Sequence, residues 1–235
     1  MPTKRALPDE MFGQIIIRTH RLARRITMRT KEDGLHITVP PLTRTSKVME
    51  IVEEYRSRLY ETWERTIPQP LDIGFRIDAP CFRLRVEQGN WNRFTVRFQD
   101  EETVIFCPKG TNFKQKNTQD LLKNAIVRAM KRRAEVYLPP ILKEFAEAFG
   151  LTYRQIKITK SRSRWGSCST TKNINLSCYL MLLPSHLMDY VLLHELAHTR
   201  EMNHGPQFWE LLDNLTEGQA HTLRKELRNF KIIFQ

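Results

Sequence analysis

Apolar and polar residues alternate along the first hundred positions in short runs that suit strands. Residues 15–39 hold Ile15-Ile16-Ile17, then Arg25-Ile26-Thr27-Met28-Arg29, then Leu35-His36-Ile37-Thr38-Val39 after Asp33-Gly34. The last two runs flank a glycine-containing turn and predict a β-hairpin ended by Pro40-Pro41. From Ser46 the period changes. Val48, Ile51, Val52, Tyr55, Leu59 and Trp63 recur at helical spacing, which predicts one helix over 46–66, closed by Pro68 and Pro70. The runs Phe82–Val86, Phe94–Phe98 and Thr103–Phe106 alternate again, the first two across Gly89-Asn90, and predict a small antiparallel sheet.

Beyond residue 117 helical spacing dominates. Residues 118–148 form a long amphipathic stretch that Pro139-Pro140 should break or kink. Two strands, Ile156–Ile158 and Asn173–Leu176, flank the polar loop 161–172, and helices are expected over 184–203, 206–215 and 219–228. The whole predicts an α+β fold in two parts, an antiparallel β-rich region over 1–117 and a helical domain with a small sheet over 118–235. No internal repeat is visible.

Composition narrows the function classes. No apolar run approaches the ~20 residues of a membrane span, and the start, Met1-Pro2-Thr3-Lys4-Arg5, lacks a signal-peptide core, so a cytoplasmic protein is expected. Four scattered cysteines, Cys81, Cys107, Cys168 and Cys178, are expected as thiols. The net charge is +12, and +11 of it lies between Cys107 and Lys172, with no acid at all between Glu147 and Asp189. Such a face suits an anionic ligand, a nucleotide or nucleic acid, or equally a solvated surface.

The segment His194-Glu195-Leu196-Ala197-His198 matches H-E-x-x-H. On a helix, residues i and i+4 share one face, so both imidazoles can reach one cation, and Glu195 can sit beside its open position as general acid/base. Pro184 suits the start of that helix and Gly205-Pro206 its stop. His204, just past the stop, is the expected third ligand, ahead of Glu210, Glu217 and Glu226 on later helices. Three protein ligands with one open position is the catalytic arrangement of zinc, one ion per chain. The metzincin pattern does not apply, because Glu201 stands where it needs glycine and no methionine follows Met202. Phe208 and Trp209 are expected to pack beneath the metal.

Arg164-Trp-Gly-Ser-Cys168, Asn173-Ile-Asn-Leu176, the H-E-x-x-H helix and Met202-Asn-His-Gly-Pro-Gln-Phe-Trp209 together resemble the YgjP-like metallopeptidase family, whose site is related to that of SprT-like zincins. Gly205 stands where family members commonly carry serine. The resemblance implies a zincin-like metallohydrolase domain, His194, His198 and His204 as ligands, Glu195 as acid/base, and the 164–168 loop near the site. Arg164, Ser167 and Asn175 are the expected substrate contacts, with Arg164 offered to a carboxylate, phosphate or oxyanion. A zinc peptidase acting on a peptide or protein is the leading expectation. A metal-dependent nucleotide phosphohydrolase (nucleoside triphosphate pyrophosphatase) and a nucleic-acid-associated protease or binding module are the alternatives.

Overall fold

The computed structural model describes residues 4–31, 33–64, 71–99 and 102–230. They fall into two compact units, within 1–69 and within 70–233, so the expected boundary after residue 117 lies inside the second.

The first unit is a four-stranded sheet with two helices. Its strands are β1 (Lys4–Asp9), β2 (Gly13–Thr19), β3 (Thr27–Lys31) and β4 (Gly34–Val39), in the order β1-β2-β4-β3. The β3–β4 hairpin is the one the alternation predicts. The sheet is mixed rather than antiparallel, because β2 and β4 run parallel at its centre. β1 escapes the hydrophobic pattern, since an edge strand with Pro8 in it carries little alternation. Helices α1 (Thr45–Glu54) and α2 (Arg56–Glu64) replace the expected single helix, with a break at Tyr55; the predicted last turn and its prolines lie outside the described residues. Ile15, Ile17, Leu35, Ile37, Val48 and Val52 form the core, and Tyr60 and Trp63 meet Phe12 edge-on at 6.2 and 5.5 Å.

The second unit opens on another such sheet: β5 (Arg76–Ala79), β6 (Phe82–Gln88), β7 (Thr95–Phe98) and β8 (Glu102–Cys107), in the order β5-β6-β8-β7. The two runs expected to pair across Gly89-Asn90 do not; β8 lies between them, parallel to β6 and antiparallel to β7. Alternation specifies which face a side chain takes but not which strand lies next to it.

The two sheets have one topology, and their registers coincide. Thr27 pairs with Thr38 and Thr95 with Phe106, each 68 positions on. The N–H of His20 donates to Val39 at 3.0 Å, as that of Gly89 does to Cys107 at 2.9 Å. Past the last strand, Thr43 Oγ1 donates to the Pro40 carbonyl at 2.8 Å and Thr111 Oγ1 to that of Pro108 at 2.7 Å. Between them, Leu42 and Gly110 both take positive φ, 65° and 76°. A helix follows in each case. The chain therefore contains a structural repeat, against the sequence expectation, because few of its equivalent positions share a residue type.

Helix α3 (Lys116–Ala148) runs unbroken through Pro139 and Pro140. The carbonyls they leave unpaired belong to Glu135 and Val136, both exposed residues whose carbonyls water can serve, while Leu138 and Leu142 stay fully buried on the other side. A three-stranded sheet follows: β9 (Gln155–Thr159), β10 (Gly166–Cys168) and β11 (Asn173–Ser177), in the order β10-β11-β9. Its Ile158, Ile174 and Leu176 are buried, whereas Lys157, Ser167, Asn173 and Asn175 occupy the other parity and face. A short 3-10 helix (Cys178–Leu182) leads to α4 (Ser185–Ala197), α5 (Pro206–Leu215) and α6 (Ala220–Asn229). No helix among the described residues is long and apolar enough to cross a membrane.

Candidate metal centre

Apolar residues cover nearly the whole circumference of α4, with Leu187, Met188, Val191, Leu192, Leu193, Leu196 and Ala197 all buried, so the helix runs through the interior of its unit. It ends at Ala197, six residues short of the sequence expectation. His198 is its C-cap, still helical at φ −65° and ψ −16°, which keeps it one turn above His194. Ending there lets residues 199–205 fold back, and Pro206 then starts α5 in its first turn.

That reversal brings three imidazoles together. Ligand-capable atoms of His194, His198 and His204 all lie within 4.8 Å of one another, and the Nε2 atoms of His194 and His204 face each other at 3.1 Å. Two nitrogens on one tetrahedral zinc with bonds of 2.0–2.1 Å stand about 3.3 Å apart, so this spacing fits a shared cation. The Nδ1–H of His198 donates to the Glu201 carbonyl at 3.0 Å, which leaves its Nε2 lone pair for a ligand bond. Burial, then the neighbouring His198 and His204, push the His194 imidazole down to about 3, so it is neutral near pH 7. His198 is lowered by burial too, with the Glu201 carbonyl opposing. Phe208, fully buried at the start of α5, floors the cluster with its ring centroid 5.0, 4.5 and 4.7 Å from those of His194, His198 and His204. Trp209 stands behind it, stacked on His221 at 4.6 Å under Arg224.

Glu195 is 5% exposed, and its Oε2 has no hydrogen-bond partner among the described residues. Burial pushes its carboxyl up to about 8, and the Arg164 guanidinium works against that rise. Its other neighbour is Gly166 on β10. A Cβ placed there would lie 2.5 Å from Glu195 Oε1 and 2.6 Å from its Cγ, so this glycine serves close approach rather than a special backbone angle. Gly166 is the residue that sequence reasoning undervalued; its only signal was its place in the 164–168 motif.

The other candidates sort by position. Glu210, Glu217 and Glu226 stand outside the imidazole cluster, and Glu226 instead meets His186 at 2.8 Å. Ser167 and Asn175 pair across β10 and β11 on the face of the sheet opposite to the one Gly166 turns to Glu195. Within the basic stretch, Lys131 and Lys143 pair with Glu135 and Glu147, while Arg132, Arg133 and Arg162 lie over the rings of Phe98, Tyr137 and Tyr179.

The sequence matches the YgjP-like metallopeptidase domain over residues 24–230. The chain belongs to the YgjP-like family. No curated protein matches it. Among solved structures it is similar to the metallopeptidase zymogen abylysin of Pyrococcus abyssi, at 22% identity over 37% of this chain and 89% of that one, with a TM-score of 0.35. Jannalysin of Methanocaldococcus jannaschii, also a metallopeptidase zymogen, matches at 24% identity over 38% and 91%, with a TM-score of 0.34. Membership of a metallopeptidase family implies a metal ion and a peptide or protein substrate, and the three-histidine cluster can hold such an ion.

Proposed function

We propose that this YgjP-like protein is a zinc peptidase, with His194, His198 and His204 as the ligands of one ion and Glu195 as general acid/base. The observation that carries it is the convergence of three imidazoles, with the residue that follows His194, Glu195, buried and its Oε2 without a hydrogen-bond partner among the described residues. Imidazole nitrogens without thiolates or extra carboxylates suit zinc. Zinc in such a site supplies Lewis acidity toward water and toward a carbonyl oxygen.

The chain's own residues do the rest. Glu195 would take a proton from the attacking water and return it to the departing amine nitrogen. The Glu201 carbonyl holds His198 in the right tautomer. Phe208 and α4 exclude bulk water from one side, which strengthens every charge interaction there.

Metal analysis and peptide cleavage test the proposal together. The purified chain is expected to carry about one zinc per molecule, lost in a His194→Ala/His198→Ala double variant. Glu195→Gln is expected to keep the zinc and lose peptide cleavage by about a hundredfold or more. A protein that cannot take up zinc overturns the proposal, as does a product pattern confined to phosphate or pyrophosphate released from nucleoside triphosphates.

A further inference from the structure

The ladder between β10 and β11 leaves one edge of the sheet open. The N–H of Ser177 donates to Trp165 and that of Ser169 to Asn173, so residues 165, 167 and 169 turn their backbone groups to β11. The N–H and C=O of Gly166 and Cys168 therefore point to the free edge. An extended peptide added there pairs with Gly166 and Cys168, and its side chains alternate between the two faces of the sheet. Those opposite Gly166 and Cys168 lie on the Glu195 face. The one opposite Ser167 lies on the other.

A hollow of about 270 Å³ takes in the Ser167 and Asn175 side chains of that other face and is lined by Thr159, Ser161, Arg164, Ser167, Asn175, Ser177 and, at the strand itself, Gly166. Its lining is hydroxyls, one amide and one guanidinium, with no acidic side chain. Several of these groups are already tied to one another or to the backbone. Ser177 Oγ donates to the Ser161 carbonyl at 2.6 Å, and Asn175 Nδ2 to Ser167 Oγ at 3.4 Å. Arg164 differs: it is exposed and makes no ion pair or hydrogen bond among the described residues, so that beyond its through-space pull on Glu195 its five N–H donors are available to a ligand. A rigid polar wall with one free guanidinium at its rim matches a carboxylate, which accepts the guanidinium fork and hydroxyl donors together.

Resting on the peptidase reading, we infer that this hollow is a specificity pocket for a substrate carboxylate, an Asp or Glu side chain projected from a peptide paired with β10, with Arg164 as its anchor. The C-terminal carboxylate of the peptide itself is the other source of the same chemistry.

Selection by binding tests this apart from catalysis. The zinc-loaded, full-length Glu195→Gln protein is immobilised, exposed to randomised peptides with amidated C-termini, and the retained peptides are sequenced by mass spectrometry. Expected is a roughly tenfold to hundredfold enrichment of Asp and Glu over Asn and Gln at one position. The enrichment disappears when Arg164→Gln is added and turns toward Lys and Arg with Arg164→Glu, while zinc content stays unchanged in both. A parallel pool with free C-termini separates the sources: Arg164-dependent retention confined to that pool assigns the carboxylate to the chain terminus and overturns the side-chain assignment. No acidic enrichment, or a selection that Arg164→Glu leaves untouched, overturns the inference. Wild-type protein is then given the selected peptides. Selection without cleavage sinks the peptidase reading and leaves the pocket standing; cleavage without acidic preference does the reverse.

Discussion

Gly166 and Glu195 show how much one missing methyl group decides. A Cβ at 166 would overlap the Glu195 carboxylate, and that side chain is too deeply buried to swing away. Gly166→Ala is expected to cost about 1–3 kcal/mol of stability, and to lower peptide cleavage well beyond what the residual fold explains while zinc content is kept; thermal melts, metal analysis and activity on one sample check this. In the first unit Asp9 plays a structural part. Its carboxylate accepts from the Met11 and Phe12 N–H groups at 3.0 Å and pairs with Arg56 at 3.1 Å. Burial opposes ionisation, yet the Phe12 N–H, Arg56 and the Met11 N–H together hold its pKa below the ordinary 3.8. The unfolded chain therefore holds that proton more tightly than the folded one, so the stabilisation is present above pH 3.8 and is lost as pH falls through the lower folded value. Asp9→Ala is expected to cost about 1–3 kcal/mol at neutral pH, with the gap to wild type in urea melts narrowing below about pH 4.

At the scale of elements, the repeated sheets offer an internal control. Leu42 and Gly110 occupy equivalent turn positions at positive φ, and Leu42 is 99% exposed, so its side chain packs on nothing that would offset the strain. Leu42→Gly is expected to stabilise by about 0.5–1 kcal/mol and Gly110→Ala to destabilise by a similar amount. A Cβ at Gly110 meets nothing within 4 Å, so the second effect is conformational alone, and paired denaturant titrations measure both. Opposite signs support the equivalence; equal signs refute it. Helix α4 illustrates what element boundaries hide. Its apolar run marks the helix plainly, but the stop at Ala197 depends on the Thr199 hydroxyl and Glu201 N–H bonding back into the last turn, an arrangement that no single residue type announces.

For the whole molecule, a metal that binds only the folded state raises the unfolding temperature by mass action, by about 2.7 kcal/mol of free energy at a hundredfold excess over Kd. Zinc is expected to raise the melting point of the wild type, chelator to reverse it, and neither to act on the His194→Ala/His198→Ala variant; differential scanning calorimetry settles the sign. The basic stretch changes meaning at this scale as well. Its charge is local in sequence, but several of its cations already lie against acids or rings of their own unit. The chain by itself determined what depends on spacing: the α+β class, the β3–β4 hairpin, the buried helix, and the three histidines that one helical turn and a proline-marked stop place in reach of each other. Only the tertiary structure decided what depends on which segments become neighbours. β8 lies between β6 and β7, the two sheets share a topology with few shared residues, Gly166 meets Glu195, and Ser167 turns to the far face of its sheet. A periodicity constrains each side chain relative to its own backbone, whereas adjacency is set by the packing of segments far apart along the chain, and their local sequence carries no record of one another.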